Sequence, residues 1–233
     1  MVSIKPFNFN YFSVHTYLIR KDESDKCVVV DPGNLTPEET AELYGCLSKE
    51  GLSPAAILLT HMHPDHIYGV KEMQDRYGIP VYMSPADKAM IPICKELAEK
   101  FGVPVPDCSF VTTDVNDSDV ITAAGLEFKV ISTPGHTPGG ACFHCEEAGL
   151  IFTGDTLFAG SIGRTDFPLG DYDEMIRSIM DKLIWIDGAT EIFPGHGRKS
   201  TIGWERERNP FLEPFNEKEE EFDPDAAGIE IHG

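Results

Sequence analysis

The sequence THMHPDH, from Thr60 to His66, contains three histidines and one aspartate within seven residues. It follows the apolar run AAILL, residues 55–59, whose short, uninterrupted hydrophobicity is typical of a strand buried on both faces. Imidazole nitrogens and carboxylate oxygens together suit zinc, iron or manganese. The stretch therefore predicts a metal-binding loop at the C-terminal end of a buried strand.

Three further segments carry a ligand-type residue directly after a strand-like run. They are TPGHTPGG with His136, FTGDT with Asp155 and FPGHG with His196. A glycine precedes each of these residues, as expected where a turn passes close to another strand end and needs backbone freedom. Together with the first loop, four separate strand ends carry side chains of the kind that bind metals. We expect them to form one site.

The candidate ligands form two sets and a bridge: His61, His63 and His136 in the first set, Asp65, His66 and His196 in the second, and Asp155 between them. The first set leaves a coordination position for water, and the strand ends carry no cysteine, which argues against a closed structural zinc site. Two ions about 3.5–4 Å apart share a hydroxide and clamp both the attacked carbonyl and the leaving group. The residues therefore predict a hydrolytic centre with two divalent ions. Zinc is the expected metal, with iron or manganese as alternatives, and Asp65 and Asp155 are the candidate catalytic carboxylates.

The composition indicates one globular domain. The chain has 233 residues, of which 41% are hydrophobic, and this is enough to bury a sizeable core. A helix is predicted after Thr36, because Pro37 and Glu39 complete a capping-box pattern and Gly51 gives a stop signal. Two further helices are predicted, from Pro85 to Phe101 and from about Tyr172 to Trp185. We expect residues 1–212 to form the catalytic domain and the acidic residues 213–233 to form a solvated tail.

The charge and the pattern of apolar residues indicate which kinds of molecule the protein acts on. The formal net charge is -20, with 19 basic and 39 acidic residues, which speaks against a nucleic-acid partner. The N-terminal residues lack the apolar run of a secretory signal, and no segment has the apolar length of a membrane span. We therefore expect a cytoplasmic protein that acts on a small molecule, with its six cysteines reduced. The sequence carries no signal for a particular oligomeric state.

The four motifs, in this chain order, resemble the metal-binding motifs of the metallo-β-lactamase fold superfamily, and the resemblance spans roughly residues 8–212. It implies an α/β fold, an αββα sandwich of two mixed sheets flanked by helices, with the site at one edge. The same resemblance implies that the two ligand sets bind the first and second metal and that Asp155 bridges them. This agrees with the grouping made from the spacing alone.

Within the superfamily, FTGDTLFAGSIGRTDFPLGD and TIGWERERNPFL look like segments of short, single-domain glyoxalase II-type hydrolases. That resemblance implies a thioester substrate such as S-D-lactoylglutathione, attacked by a metal-bridging hydroxide. A thiol with a pKa near 8.5 leaves as thiolate with little help from a protein acid. The chain departs from full-length glyoxalase II, because GRTDF replaces a Lys-Phe-Tyr element and the C-terminal helical domain that holds glutathione has no counterpart. Glutathione as the thiol carrier is therefore a separate hypothesis.

Two alternatives remain. GRTDF, residues 163–167, also resembles the persulfide dioxygenases, which bind one iron, but their last motif differs from the FPGHG that carries His196 here. A non-catalytic metal-binding module is the second alternative, although such a module would not need an open two-metal site. The hydrolase is the preferred interpretation.

Three residues or pairs near the motifs have structural interpretations as well. Asp31 in VVVDPG is either a turn residue or a hydrogen-bond partner that sets the tautomer of a ligand histidine. Arg164 and Asp166 are expected to pair with each other. Cys142 and Cys145 are expected to point to opposite faces of one strand and to have packing roles only.

Overall fold

The first of two mixed sheets carries the loop of the THMHPDH motif. In the computed structural model, which describes residues 1–213, it has six strands in the order β1-β2-β3-β4-β5-β6. The pairs β1–β2 and β2–β3 are antiparallel, and the pairs β3–β4, β4–β5 and β5–β6 are parallel. Their bounds are β1 Val2–Phe9, β2 Val14–Lys21, β3 Lys26–Val30, β4 Ser53–Leu58, β5 Val81–Met83 and β6 Thr112–Asp114.

The second sheet carries the other three motifs. It also has six strands within the described residues, in the order β14-β13-β10-β9-β8-β7, and β10 pairs with β13 in parallel while the other pairs are antiparallel. The bounds are β7 Val120–Ala123, β8 Leu126–Ser132, β9 Ala141–Cys145, β10 Leu150–Gly154, β13 Glu191–Pro194 and β14 Ser200–Thr201, with a separate hairpin of β11 Leu157–Phe158 and β12 Ser161–Ile162.

Helices cover the outer faces of both sheets. Leu43, Met73 and Leu97 pack from helices onto the outer face of the first sheet, and Met175 and Ile202 pack onto the outer face of the second. The helix bounds are α1 Pro37–Glu50, α2 Pro64–Ile67, α3 Val70–Tyr77, α4 Ile91–Phe101, α5 Tyr172–Ser178 and α6 Ile202–Arg208. The expected αββα sandwich is confirmed.

The core between the sheets is built from alternating side chains of both. Val28 and Leu58 of the first sheet belong to one buried cluster with Phe128, Phe143 and Phe152 of the second. Cys142 and Cys145 lie on opposite faces of β9, in the outer and the inner cluster respectively, as predicted from strand periodicity. Burying each large apolar side chain stabilises the fold by roughly 1.5–3 kcal/mol. This packing holds the strand ends in register.

Helix α1 follows its predicted caps. The Thr36 hydroxyl accepts a hydrogen bond from the Glu39 N–H, the Glu39 carboxylate accepts one from the Thr36 N–H, and Gly51 adopts the left-handed conformation with φ 66°. The single helix expected from Pro85 to Phe101 is divided into a 3-10 segment, Pro85–Met90, and α4. Pro92 explains the division, because a proline is tolerated in the first turn of a helix and not in its interior.

The helix expected from about Tyr172 to Trp185 is α5 followed by a π-helical turn, Ile179–Leu183. Strand β1, for which the sequence analysis made no assignment, pairs along its whole length with β2. Within the described residues, no helix combines the length and the apolar character needed to cross a membrane. The predicted acidic tail lies outside the described residues from position 214 onward.

Candidate metal centre

The four motifs meet where the ends of the two sheets come together. The THMHPDH loop follows β4 of the first sheet, and His136, Asp155 and His196 follow β8, β10 and β13 of the second. The imidazole rings of His61 and His136 lie 4.8 Å apart between centroids, although they come from different sheets. The structure therefore brings all seven predicted residues together, as the sequence analysis expected.

The first set is tightly clustered and buried. His61 Nε2 lies 3.1 Å from His63 Nδ1, and the rings of His63 and His136 are 4.4 Å apart. One nitrogen of each of the three histidines lies within 4.8 Å of the others. Three neutral imidazoles at such separations can hold one divalent ion.

The second set is arranged around the Asp65 carboxylate. Asp65 Oδ2 lies 3.2 Å from His196 Nε2 and 3.6 Å from His66 Nε2. Asp65 and His66 belong to the short helix α2, whereas His196 comes from the loop after β13. These three side chains can hold a second ion.

Asp155 lies between the two sets. Its Oδ2 is 3.5 Å from His136 Nε2 and 3.6 Å from His196 Nε2, and its Oδ1 is 3.4 Å from His66 Nε2. One carboxylate thus contacts a histidine of the first set and two of the second. A carboxylate in this position can bind two ions at once.

Several buried polar atoms of the cluster point into it without a hydrogen-bond partner. Among the described residues, these include the Nε2 atoms of His66 and His136 and Oδ1 of Asp155. A buried polar atom that lacks a partner costs about 1–3 kcal/mol. A divalent cation would satisfy all of them, so the donor set fits the metal ions that the motifs imply.

Remote hydrogen bonds set which nitrogen of three histidines faces the cluster. His66 Nδ1 lies 2.9 Å from Asp31 Oδ2, His136 Nδ1 lies 2.6 Å from the Arg164 carbonyl oxygen, and His196 Nδ1 lies 3.1 Å from the Phe12 carbonyl oxygen. Since each of these oxygens can only accept, each Nδ1 carries the proton. Each Nε2 is therefore left with a lone pair for a metal.

Asp31 therefore has more than a turn role. It is buried, and its backbone φ of 48° is in the left-handed region, which is unusual for a residue other than glycine. Besides His66, its carboxylate accepts hydrogen bonds from the Thr60 N–H at 2.8 Å and the Thr60 hydroxyl at 2.6 Å. Of the two interpretations of Asp31, the geometry matches the one in which it orients a histidine.

Asp87 was missed by the sequence analysis. Its buried carboxylate accepts hydrogen bonds from the Met62 N–H at 2.7 Å and the Gly139 N–H at 2.6 Å. Met62 lies between two residues of the first set, and Gly139 belongs to the loop of His136, so one side chain joins two ligand loops. No motif marks Asp87, because its partners are backbone groups remote in sequence.

Two of the motif glycines are required by close approach. A Cβ atom at Gly195 would collide with the Asp155 carboxylate and the His66 ring, and one at Gly154 would collide with the Thr60 side chain. Gly154 also has φ 48°. Both glycines are next to candidate ligands because the four loops are packed without room for a side chain at these positions.

The electrostatics of the two sets differ. Burial lowers the pKa of His63 to about 3 and lowers that of His61 well below its usual range, so both rings are neutral. Burial also opposes the charged form of His66, yet the adjacent carboxylates of Asp65 and Asp155 outweigh it and raise the His66 pKa well above its usual range. In the absence of cations, protons on this second set therefore balance the carboxylates of Asp65 and Asp155.

A cleft of about 290 Å³ opens beside the cluster. Its floor includes several candidate ligands, and its walls include aromatic and aliphatic side chains. At its rim, the Arg164 guanidinium forms two hydrogen bonds with the Asp166 carboxylate, at 2.8 and 2.6 Å. The predicted pairing of these two residues is confirmed. The candidate centre is thus open to a small molecule on one side.

Comparisons with known proteins agree with the fold and the motifs. The sequence profile of the metallo-beta-lactamase superfamily matches residues 10–196. An uncharacterized protein of Mycobacterium tuberculosis is 38% identical over 222 residues, which cover 90% of this chain and 97% of that protein. Hydroxyacylglutathione hydrolase GloC of Haemophilus influenzae is 36% identical over 193 residues, which cover 82% of this chain and 89% of that protein.

Solved structures give the same result. The crystal structure of BLEG-1 B3 metallo-beta-lactamase superimposes with a TM-score of 0.83 at 32% identity, covering 90% of this chain and 99% of that one. The di-iron-bound form of TTHA1623 superimposes with a TM-score of 0.80 at 32% identity, covering 89% of this chain and 100% of that one.

Proposed function

This chain belongs to the metallo-beta-lactamase superfamily, and on that premise we propose that it is a hydrolase with two divalent metal ions that cleaves thioesters. In this proposal the histidines of the first set bind one ion and Asp65, His66 and His196 bind the other. Zinc is the expected metal. Iron is an alternative because the similar structure of TTHA1623 is di-iron-bound.

The observation that carries the proposal is the position of the Asp155 carboxylate. It lies 3.5 Å from a histidine of the first set and 3.4 and 3.6 Å from two of the second. A centre for one ion would not require a carboxylate between two separate groups of ligands. With Asp155 in this position, the two groups would hold two ions, which would supply an activated water as the nucleophile.

The thioester is supported by a relative and by chemistry. The Haemophilus influenzae relative is named as a hydroxyacylglutathione hydrolase, and hydroxyacylglutathiones are thioesters. A thiolate is a good leaving group near neutral pH, so the reaction makes little demand on a protein acid. The substrate is therefore a small molecule whose carbonyl must reach the floor of the cleft.

The residues have distinct tasks in this reaction. Bound divalent ions lower the pKa of water towards 7 and polarise a carbonyl oxygen. Asp155 and Asp65 line the cleft with carboxylate oxygens that orient the attacking water and accept its hydrogen bonds. The hydrogen bond from His136 Nδ1 to the Arg164 carbonyl holds that ring in place during turnover. The apolar walls limit the access of bulk water.

The experiment that tests the proposal combines metal analysis with turnover. The purified protein is analysed for metal and assayed for hydrolysis of S-D-lactoylglutathione and of acetyl-N-acetylcysteamine, for oxygen uptake with glutathione persulfide, and for hydrolysis of a chromogenic β-lactam. We expect two metal ions per chain and hydrolysis of the thioester substrates.

The other outcomes separate the alternatives. One iron with oxygen uptake would replace the hydrolase with a persulfide dioxygenase. Two ions with turnover of the β-lactam alone would keep the centre and reject the thioester. Two ions and no turnover of any compound would favour a metal-binding module without catalysis.

A further inference from the structure

An aromatic wall stands over the candidate centre. We define it as Phe12, Phe101 and Phe167, whose rings contact one another in sequence, with centroids 5.6 Å apart from Phe12 to Phe101 and 6.0 Å from Phe101 to Phe167. Phe167 also contacts the ring of His63 at 5.4 Å and that of His136 at 6.1 Å. The wall therefore begins at the first ligand set and extends towards solvent.

Three separate elements supply this wall. Phe12 comes from the turn between β1 and β2, Phe101 from the end of α4, and Phe167 from the loop before α5. Leu97 and Val103 extend the apolar surface of the same cleft. Phe101 is 42% exposed although it is aromatic and its ring lies in the wall. An apolar group bound in the cleft would remove this surface from water, which is favourable in proportion to the area covered.

The cleft offers little to an anionic group. Among the described residues that line it, Arg164 is the only basic side chain apart from histidine, and its guanidinium is engaged by Asp166 and lies 4.3 Å from the Phe167 ring. Asp65 and Asp155 on the floor would be paired with the proposed ions and provide no cationic group. The formal net charge of -20 adds long-range repulsion. Among the described side chains that line the cleft, a carrier with free carboxylates, such as glutathione, therefore meets no unpaired cationic group, and the ions that would lie on the floor are needed for the thioester carbonyl.

We infer that the substrate is a thioester whose acyl group is apolar, of the arylacetyl or medium alkanoyl type, and that this group packs against the aromatic wall. The inference rests on the proposed thioester hydrolysis and names its substrate class. The carbonyl of such a substrate lies over the candidate metal centre, and the thiol part leaves towards the open side of the cleft. Water adds to the carbonyl carbon, the C–S bond breaks, and the products are a carboxylic acid and a thiol.

Four thioesters test this inference with the full-length, metal-loaded protein. Acetyl and phenylacetyl groups are each joined to N-acetylcysteamine, which is neutral, and to glutathione, which is anionic. Each kcat/KM is divided by the rate of hydroxide hydrolysis of the same compound without protein, which removes intrinsic reactivity. We expect the phenylacetyl ester of N-acetylcysteamine to exceed the acetyl ester by about tenfold or more, and glutathione to give no advantage with either acyl group.

Variants show whether the wall causes this preference. Phe101→Ala and, separately, Phe12→Ala are each expected to lower the ratio of phenylacetyl to acetyl by about fivefold. Phe101 is already partly exposed, so its removal should leave the fold intact. Trp185→Ala is the matched control, because Trp185 is an aromatic residue that is 78% exposed and does not line the cleft. Its ratio should equal that of the wild type.

The outcomes separate this inference from the proposed function. Hydrolysis of all four thioesters with equal normalised kcat/KM, or a preference for the glutathione carrier, would overturn the inference and leave the thioesterase intact. A phenylacetyl preference that both wall variants retain in full would also overturn it. Failure to hydrolyse all four, with metal-dependent hydrolysis of S-D-lactoylglutathione retained, would overturn the inference alone. Failure to hydrolyse S-D-lactoylglutathione as well would overturn the proposed function and this inference with it.

Discussion

His66 and Asp31 form a buried hydrogen bond of 2.9 Å between Nδ1 and Oδ2, across 35 residues of sequence. Asp31 lies in the loop after β3, and His66 lies in helix α2, which follows the neighbouring parallel strand β4. The bond commits the His66 proton to Nδ1 and leaves Nε2, which lies near both Asp65 and Asp155, as the atom that can bind a metal. Asp31 thereby determines which nitrogen of His66 is free to bind a metal.

Asp31→Asn tests this relationship. Both Asp31 oxygens accept hydrogen bonds, Oδ1 from the Thr60 N–H and Oδ2 from the Thr60 hydroxyl and the His66 N–H. The NH₂ group of an asparagine would face one of these donors, so the His66 ring would be held less firmly in its tautomer. We expect metal affinity to fall by about 10–100-fold, measured by competition with a chromogenic chelator. Asp75→Asn, an exposed change on α3, is the control. Unchanged affinity in Asp31→Asn would show that the bond has no orienting role.

His196→Ala tests whether two ions are needed. His196 Nε2 lies 3.2 Å from Asp65 Oδ2 and 3.6 Å from Asp155 Oδ2. In the proposal, His196 binds only the second ion. We expect the variant to retain about one ion per chain and to lose most of the thioester hydrolysis, by about 100-fold or more. Metal content and kcat/KM for thioester hydrolysis are measured on the same preparation of the variant. Full activity with one ion would instead support a mononuclear enzyme.

Metal release should depend on pH in two steps. His61 and His63 have pKa values lowered by burial, whereas burial of His66 and His196 is outweighed by the adjacent carboxylates, which raise their pKa values. A ligand histidine must be neutral, so a raised pKa means that protons compete with the metal as the pH falls through it. Affinity at the second set should fall by up to about tenfold per pH unit for each proton displaced.

The measurement is metal content after dialysis at a series of pH values from 8 down to 5. We expect one ion per chain to leave before the other, and His196→Ala to show only the later step. Simultaneous release of both ions over the whole series would contradict the assignment of the raised pKa values to one set.

Asp87→Asn should weaken the fold around the first set. Both carboxylate oxygens accept backbone N–H groups, and an amide would present its own NH₂ to one of them. We expect a loss of about 1–3 kcal/mol in the free energy of unfolding, measured by urea denaturation of the metal-free protein. Asp114→Asn is the control, because Asp114 forms a half-exposed pair with Lys88 and such pairs contribute about 0–1 kcal/mol. Equal losses in the two variants would argue against the role of Asp87 in joining the ligand loops.

Local sequence signals predicted the elements that depend on near neighbours. Helix α1 begins and ends at the predicted residues, because its caps are formed by side chains and glycine within the same segment. Strand β1 was not assigned, since its Lys5-Pro6 centre breaks the strand pattern and its ordering depends on pairing with β2. The helix predicted from Pro85 to Phe101 is divided before Pro92, because a proline fits the first turn of a helix and not its interior. The apolar periodicity runs through both parts and did not indicate the division.

The sequence by itself determined which residue types lie at the four strand ends, and therefore the candidate ligands and the sandwich fold. Only the tertiary structure decided which nitrogen of His66, His136 and His196 faces the cluster, because the partners are Asp31 and the carbonyls of Arg164 and Phe12, all remote in sequence. It also decided the joining role of Asp87 and the contact between Phe101 and Phe167. The physical reason is that periodicity and capping act over a few residues, whereas hydrogen bonds and ring contacts of a site join segments that only the packed sheets bring together.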